Sequence, residues 1–306
     1  MLAAVGSGLY AENFTVKSPN SQIAVNVETG ENTTYSVVFK GKTIINPSPI
    51  SMTFDNGIVI GRNMKVINVE NYSEDKTIIP VVRQKGDKIQ DTYNEMVLSA
   101  DNYRIHFRVY DDGLAYRFHT NFSDSVKVLS EEATFCFPED YNTLFPEEKT
   151  MLSAQQPLFK PMKLSEISTD RFCSTPMLIK LDENARLFIS ESDLESYPGM
   201  FLKKQGKYEM AGKYAAVSLE DQKTDDRQIF PTKRADYIAH VSGTRNFPWR
   251  AMIVAENDAN LVTNQLIYKL APESEGDFSW VKPGKIAWDW YNAPVSYTHL
   301  TLPTIA

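Results

Sequence analysis

Two strand-like segments flank a turn in the stretch Tyr103-Arg-Ile-His-Phe-Arg-Val-Tyr-Asp-Asp-Gly-Leu-Ala-Tyr-Arg-Phe118. Apolar and polar residues alternate from Tyr103 to Val109, which is the pattern of a β-strand with one buried face. Asp111-Asp112-Gly113 then supplies turn residues, and Leu114–Phe118 is a second strand-like run. The stretch therefore predicts an antiparallel β-hairpin.

The same pattern recurs on both sides of this hairpin. Short alternating runs separated by turn residues extend from Asn13 to about Val128, and strand-like runs resume as far as Val241. The further predicted strands are Gln22–Glu28, Thr34–Phe39, Ala133–Phe137, Met177–Leu181, Leu187–Ser190, Tyr214–Leu219 and Tyr237–Val241. Many short antiparallel strands predict a mainly β fold, here a large antiparallel β-sandwich over residues 12–271.

The sandwich is expected to end in a helix and a linker. Val262, Leu266 and Leu270 recur at every fourth residue, so one helix is predicted over Asp258–Leu270, with Asp258 capping its start. Residues 272–284 contain Pro, Gly and several charged side chains, and this segment is predicted to be the linker.

An apolar and aromatic run follows the linker, Lys285-Ile-Ala-Trp-Asp-Trp-Tyr-Asn-Ala-Pro-Val295, and is predicted to open a second domain. Asp289 lies between Trp288 and Trp290. A sugar stacks its C–H face on an aromatic ring and bonds a carboxylate through its hydroxyls, so this grouping suits a carbohydrate site. The alternative is a core strand with one hydrogen-bonded Asp. Residues 296–306 break the pattern and are interpreted as an artefactual tail of translated sequencing adapter.

The composition excludes several classes of partner. The chain has 306 residues, of which 42% are hydrophobic, and a formal net charge of −7. Lys and Arg do not cluster densely enough to neutralise a row of phosphates, so nucleic acid is excluded as a partner. No eighteen consecutive residues are apolar, so no membrane span is expected.

The first eleven residues predict the compartment. Residues 1–11 are small and apolar and give way abruptly to Glu12, as the remnant of a signal peptide does at its cleavage site. The alternative is the frayed start of a first strand. Export to the periplasm or cell exterior is the favoured interpretation. Cys136 and Cys173 could pair in such a compartment, but their spacing leaves the disulfide open.

A strand-like run delivers three carboxylates in Leu187-Phe-Ile-Ser-Glu-Ser-Asp-Leu-Glu-Ser-Tyr-Pro-Gly-Met-Phe201. Glu191, Asp193 and Glu195 alternate along this extended segment and are expected to point the same way. Such carboxylates bind a hard cation such as Ca2+ or a sugar hydroxyl. The alternative is a solvated acidic turn.

Another candidate group precedes the apolar run Ala251–Val254. Asn246-Phe-Pro-Trp-Arg250 places an indole and a guanidinium at the start of a strand. Arg250 is expected either to fork onto a carboxylate and orient it or to form a structural ion pair beneath Trp249. Tyr93–Glu95 and Tyr116–Phe118 are interpreted as sandwich packing and cross-strand pairs.

These motifs together resemble glycoside hydrolase family 97, a family of bacterial exo-acting α-glucosidases and α-galactosidases. The matching segments, in the family's order, are Asp111–Arg117, Ser190–Met200, Asn246–Arg250 and Trp280–Asn292. The resemblance covers residues 18–292. It implies an N-terminal β-super-sandwich followed by a (β/α)8 catalytic barrel, of which residues 285–295 would be the first strand of a truncated barrel.

The resemblance also implies roles for individual residues. Glu191 matches a glutamate that the family's N-terminal domain lends to a calcium ion at the active site. Arg250, Trp249, Trp288 and Asp289 match motifs near the cleft and are assigned structural or substrate-side roles, with Arg250, Trp288 and Asp289 as the substrate-binding candidates. The catalytic acid and the base or nucleophile lie on later barrel strands of the family, so no catalytic residue is assigned here. The family has inverting and retaining members, and the sequence 287–292 is closer to the retaining, α-galactosidase-type branch.

Three hypotheses for function follow. The first is the N-terminal part of an exported, calcium-dependent α-glycosidase that hydrolyses α-linked oligosaccharides, with the remainder of its own barrel as partner. The second is a stand-alone carbohydrate-binding β-sandwich. The third is a domain that only braces a barrel, with an exposed apolar interface around Phe278 to Trp290 that promotes aggregation.

Overall fold

The computed structural model describes residues 11–82, 85–223, 229–282 and 284–285. These residues form twenty-two β-strands and, after the last strand, two short α-helices. The strands are β1 (Glu12–Lys17), β2 (Ile23–Thr29), β3 (Thr34–Phe39), β4 (Lys42–Phe54), β5 (Val59–Ile60), β6 (Asn68–Ile78), β7 (Ile89–Ser99), β8 (Tyr103–Tyr110), β9 (Gly113–Asn121), β10 (Val126–Cys136), β11 (Asn142–Glu148), β12 (Phe159–Lys163), β13 (Phe172–Cys173), β14 (Met177–Lys180), β15 (Arg186–Ser192), β16 (Phe201–Lys204), β17 (Glu209–Lys213), β18 (Ser218–Lys223), β19 (Ile229–Arg234), β20 (Ala239–Val241), β21 (Thr244–Asn246) and β22 (Trp249–Ala255). The helices are α1 (Asp258–Thr263) and α2 (Leu266–Leu270), and a 3-10 turn covers Leu164–Glu166.

The strands pair antiparallel in two runs that share β11. One run is β1–β2–β3–β4–β10–β17–β16–β13–β11. The other is β11–β14–β15–β22–β9–β8–β7–β6. The prediction of a mainly β, antiparallel sandwich is therefore confirmed. The predicted hairpin is β8–β9, whose last pair is Tyr110 with Gly113.

The main core fills the space between the two runs. In β2, for example, Ile23, Val25 and Val27 are buried while the intervening residues are more exposed. By contrast, all of β22 is buried, because it pairs with β15 on one side and β9 on the other and is covered on both faces. Leu266 and Leu270 of α2 belong to a second apolar cluster with Ala251 and Ile253 of β22.

The predicted single helix is interrupted at Asn264. Its backbone is extended (φ −61°, ψ 142°), and its side-chain amide donates to Asp112 Oδ2 in the β8–β9 turn at 2.8 Å. The predicted cap was also wrong, since the side chain of Asn257, not of Asp258, accepts the Asn260 N–H. Val262, expected on the buried face, is 64% exposed.

The predicted strand Tyr214–Leu219 begins only at Ser218. From there β18 pairs with β19 as a separate two-stranded sheet. Tyr214 instead places its ring over the Arg250 guanidinium, 5.1 Å from Cζ to the ring centroid. Cys136 and Cys173, whose pairing was left open, are both free.

The chain divides into two compact units, Met1–Pro272 and Glu273–Ala306. The predicted leader, barrel strand and tail lie outside the described residues, apart from their boundary residues Ala11 and Lys285. In the described part of the second unit, Phe278 and Trp280 are exposed. No helix within the described ranges has the length and apolar composition needed to cross a membrane.

Candidate functional site

Three neighbouring strands position the candidate site. Glu191 of β15 lies directly opposite Arg250 of β22, and Arg250 lies opposite Tyr116 of β9 on its other side. Directly paired residues on adjacent strands point to the same face of the sheet. The register of β15 and β22 therefore brings together Glu191 and Arg250, which the sequence singled out separately.

Arg250 joins the two layers of the sandwich. Its Nε and Nη2 donate to Oε1 and Oε2 of Glu131 on β10, each at 2.6 Å. Its Nη1 donates to Glu191 Oε2, also at 2.6 Å. The side chains of Arg250 and Glu131 are each only 1% exposed, whereas that of Glu191 is 12% exposed. Arg250 is thus buried inside the sandwich and is held by a bidentate ion pair.

Two tyrosines surround this ion pair. The Tyr197 hydroxyl donates to Glu131 Oε2 at 2.9 Å. The rings of Tyr197 and Tyr214 lie 5.8 and 5.1 Å from the Arg250 Cζ, within the range of cation–π attraction. Burial lowers the pKa of Arg250, but the carboxylates of Glu131 and Glu191 raise it by more. The resulting pKa of Arg250 is well above its usual value. Arg250 is therefore permanently charged.

Glu191 is held from a second direction by the loop that follows β15. The Met200 N–H donates to both carboxylate oxygens, at 2.9 and 3.1 Å. Gly199 lies so close that a Cβ there would be 3.4 Å from Glu191 Oε1. Burial raises the pKa of Glu191, while Arg250 and the Met200 N–H oppose that rise. Its carboxylate is fixed in orientation but has lone pairs left over.

The three alternating carboxylates do not converge, contrary to expectation. The strand ends at Ser192, and Asp193 has a positive φ of 58°. Asp193 pairs with Arg117 at 3.0 Å, on the sheet face opposite to Glu191, and Glu195 is exposed. Within the described ranges, no three His, Cys, Asp or Glu side chains are placed to hold a metal ion.

The opposite face of the same strands carries a second charged group. Trp249 is 1% exposed and lies beneath two guanidinium groups, with Arg117 and Arg108 at 4.2 and 4.9 Å from its ring centroid. Arg108 in turn forms an ion pair with Glu95 across β7 and β8, in which its Nε and Nη2 both donate to Glu95 Oε2, at 3.0 and 2.8 Å. This arrangement is the cross-strand pairing predicted for Glu95.

The chemistry of Glu191 fits calcium, but it supplies a single ligand. Ca2+ takes six to eight oxygen ligands, and a carboxylate provides one or two of them. Glu131 and Glu191 carry two negative charges and Arg250 one positive charge, so one negative charge is left over. Of the three side chains, Glu191 is the most exposed. The remaining ligands would have to come from outside the described residues.

Other sequence predictions have different outcomes. Trp288 and Asp289 lie outside the described residues. Arg250 forks onto a carboxylate, that of Glu131, as one of the two interpretations expected. Glu131 was missed, because it lies 119 positions from Arg250 and in a run, Ser130-Glu-Glu132, without a local signal.

Comparisons with known proteins identify the family. The family model described as "Glycosyl-hydrolase 97 N-terminal" matches residues 16–272. A "Retaining alpha-galactosidase" from Bacteroides thetaiotaomicron is 32% identical over 295 residues, 92% of this chain and 44% of that protein. A "Probable retaining alpha-galactosidase" from Streptomyces bingchenggensis is 24% identical over 280 residues, 89% of this chain and 39% of that protein. The chain thus spans less than half the length of these relatives.

Solved structures show the same fold. A glycoside hydrolase family 97 enzyme from Pseudoalteromonas sp. strain K8, in complex with acarbose, superposes with a TM-score of 0.76 at 20% identity. The match covers 89% of this chain and 40% of that one. A β-arabinopyranosidase superposes with a TM-score of 0.69 at 20% identity, covering 87% of this chain and 44% of that one. On the family match and the sequence identity, the chain belongs to glycoside hydrolase family 97 and contains its N-terminal domain.

Proposed function

We propose that this chain is the N-terminal part of an exported, calcium-dependent, exo-acting α-glycosidase that hydrolyses α-linked oligosaccharides. The observation that carries the proposal is the 32% identity to a retaining α-galactosidase over 92% of the chain. Both curated relatives carry that activity in their names. An α-galactoside is therefore the substrate to test first, and an α-glucoside the second.

In this proposal the N-terminal domain contributes a ligand and the rest of the enzyme contributes the reacting carboxylates. Glu191 would hold the ion, and a bound Ca2+ supplies positive charge that stabilises negative charge developing on oxygen. Arg250 and the Met200 N–H orient the Glu191 carboxylate, because they contact its oxygens at 2.6 to 3.1 Å. Trp288 and Asp289 would face the substrate, and Arg250 would act on it through Glu191.

The stereochemical outcome we propose is retention. Retaining glycosidases place a nucleophile and an acid/base carboxylate about 5 to 5.5 Å apart, whereas inverting ones leave room for a water molecule between them. The names of the two relatives and the resemblance of residues 287–292 favour the retaining arrangement. Both carboxylates would belong to the catalytic barrel.

The test is an assay of the full-length gene product on p-nitrophenyl α-galactoside and α-glucoside, with and without a calcium chelator. We expect release of nitrophenol that the chelator abolishes, retention of anomeric configuration by NMR, and no activity from the 306-residue chain alone. Glu191→Gln is expected to lower both activity and calcium affinity. Glu195→Gln, an exposed acid of the same loop, is the matched control and should behave as wild type. An inert full-length product contradicts the proposal.

Export rests on residues 1–11 and is tested separately. Fractionation of cells that carry the native gene should place the protein in the periplasm or the medium. Recovery with the cytoplasmic fraction would contradict this part of the proposal without affecting the enzymatic one.

A stand-alone carbohydrate-binding module is the second candidate, because the compact unit that ends at Pro272 contains its own core. Sugar modules use exposed aromatic rings as stacking platforms. Trp249 cannot serve as one, since it is buried beneath two guanidinium groups. Calorimetry with maltooligosaccharides and galactosides decides this candidate, and an absence of heat from every sugar rejects it.

A further inference from the structure

We infer that Glu131 is a positioning residue for the proposed calcium site, and that it neutralises Arg250 so that Glu191 keeps its negative charge for the cation. The inference rests on the proposed function. It concerns a residue that contacts neither the cation nor the substrate. Its basis is the way in which one guanidinium is shared between two carboxylates.

The sharing is unequal. Glu131 receives two of the three guanidinium contacts, from Nε and Nη2, and Glu191 receives one, from Nη1. The bidentate geometry is the stronger of the two arrangements. Glu131 therefore takes up most of the positive charge of Arg250. Without Glu131, the same guanidinium would neutralise Glu191.

The burial of the three side chains assigns their roles. The Glu131 and Arg250 side chains are each 1% exposed, so no ion from solvent reaches them. Glu191 is 12% exposed and is the member of the group with an opening to the surface. The single uncompensated negative charge of the group is therefore presented at Glu191.

Glu131 also holds the loop that orients Glu191. The Tyr197 hydroxyl donates to Glu131 Oε2, and three residues later the Met200 N–H donates to the Glu191 carboxylate. One buried carboxylate on β10 thus fixes both the arginine and the loop that contact Glu191. The opposite layer of the sandwich thereby sets the geometry of the proposed ligand.

The sheet contains a matched control pair. Arg108 Nε and Nη2 both donate to Glu95 Oε2, at 3.0 and 2.8 Å, His106 contacts the other oxygen, and the Glu95 side chain is 9% exposed. Arg108 contacts Trp249, which points away from Arg250 because the two are successive residues of β22. Glu95→Gln therefore disturbs a similar ion pair on the opposite face.

The experiment measures Ca2+ binding to the full-length protein by isothermal titration calorimetry in metal-free buffer. Glu131→Gln keeps the shape of the side chain but leaves Arg250 to neutralise Glu191. We expect calcium affinity to fall at least about tenfold, because affinity depends on the charge of the ligand set. Glu95→Gln should stay within about twofold of wild type. Circular dichroism melts establish that each variant is folded.

A double variant separates charge from shape and guards against misfolding. Glu131→Gln with Arg250→Met removes the buried pair as a whole, which proteins tolerate better than loss of one partner. It restores one net negative charge at Glu191, so we expect it to bind Ca2+ more tightly than Glu131→Gln alone. A purely structural role for Glu131 would not produce this recovery.

Three results would overturn the inference: wild-type affinity in folded Glu131→Gln, a double variant no better than the single one, or no Ca2+ binding by the wild-type protein. Nitrophenol release by the wild-type protein is measured in parallel as the assay of glycosidase activity. Activity together with either of the first two results refutes the role of Glu131 and leaves the glycosidase proposal standing. Activity without Ca2+ binding by the wild-type protein refutes the calcium site as well and leaves only the glycosidase activity standing. Absence of activity with calcium binding that follows the expected order refutes the glycosidase instead.

Discussion

At the scale of single residues, the buried charge of Arg250 determines which side chains must surround it in the core of this domain. A charged group that is 1% exposed is stable only when its partners are complete. Glu131, Glu191 and the rings of Tyr197 and Tyr214 supply those partners. Loss of the guanidinium would leave Glu131 without its counter-ion in the core.

Arg250→Met is therefore expected to lower the free energy of unfolding by about 3 to 5 kcal/mol, the usual cost of an unpaired buried charge. The measurement is urea unfolding followed by circular dichroism. Lys233→Met is the control, because Lys233 pairs with Glu220 where both side chains are more than half exposed. That change should cost no more than about 1 kcal/mol. Equal losses for the two variants would show that Arg250 is not a buried structural charge.

The sequence identified part of this site. Glu191 and Arg250 each stand in a motif, and both proved to be neighbours on adjacent strands. Glu131 could not be found, since its role depends on β10 facing β22 across the core, which no local pattern encodes. The alternation of Glu191 and Asp193 wrongly predicted that their side chains share a face. The strand ends before Asp193, whose φ is positive, so the alternation of an extended strand no longer applies there.

At the scale of elements, β5 is flanked by two glycines that have the same φ and different surroundings, Gly57 before it and Gly61 directly after it. Gly57 and Gly61 both have φ of 81°. A Cβ at Gly57 would meet nothing within 4 Å, whereas one at Gly61 would lie 2.3 Å from the carbonyl oxygen of Ile50 on β4. A comparison of alanine substitutions at these two glycines therefore distinguishes the cost of backbone strain from the cost of steric overlap.

Gly57→Ala is expected to cost about 1 to 2 kcal/mol, the strain of alanine in the left-handed region. Gly61→Ala carries the same strain and must also displace the backbone of β4, which adds a further 1 to 3 kcal/mol or so. Chemical unfolding of both variants measures the difference. Equal stabilities would mean that β4 yields to the added methyl group without cost.

Edge strand β12 is tied to its neighbours by Glu147 of β11. Its carboxylate accepts from Arg171 Nε and from Lys160 Nζ, both at 2.5 Å. These hydrogen bonds, that of Arg171 first, lower the pKa of Glu147 from 4.5 to about 2. Because the folded-state pKa is depressed, this stabilisation is present above pH 4.5 and is lost as the pH falls towards 2.

Glu147→Gln should therefore reduce the free energy of unfolding at pH 7 by about 1 kcal/mol, a modest value because the pair is partly exposed to solvent. The difference from wild type should shrink between pH 4.5 and pH 2. Urea titrations at pH 7, 4 and 2.5 follow this change. A difference that is constant across the three values would show that Glu147 contributes packing rather than charge.

Elements with local signals were predicted well, and those set by tertiary contacts were not. The β8–β9 hairpin has its strands and its Asp111–Gly113 turn in one stretch of sequence and was predicted correctly. The helix Asp258–Leu270 has the right period but is broken at Asn264, whose side chain bonds Asp112. That partner lies 152 positions away, so the period alone predicted a longer helix.

At the scale of the whole molecule, the sequence gives the class of fold but not the order of the strands. Alternation identifies strands, while the neighbours of β10 include β4, β17 and β20, from three distant parts of the chain. Such pairings depend on the closure of two layers around one core. They decide which charged residues meet, and hence where the candidate site forms.

The unit that ends at Pro272 contains the whole main core and the cluster beneath α2. A chain that ends at Pro272 is therefore expected to fold without the residues that follow. Its unfolding should be one cooperative transition, with a Tm within about 4 °C of that of the 306-residue chain, equivalent to roughly 1 kcal/mol for a domain of this size. Scanning calorimetry of the two chains measures both quantities.

Solubility gives a second measure of the same prediction. Phe278 and Trp280 are 44% and 75% exposed, and exposed apolar groups promote association. The chain that ends at Pro272 lacks both, so light scattering should show less aggregation from it than from the 306-residue chain at equal concentration. A shorter chain that melts more than 10 °C lower, or that aggregates more, would mean that residues 273–306 complete the fold of the sandwich.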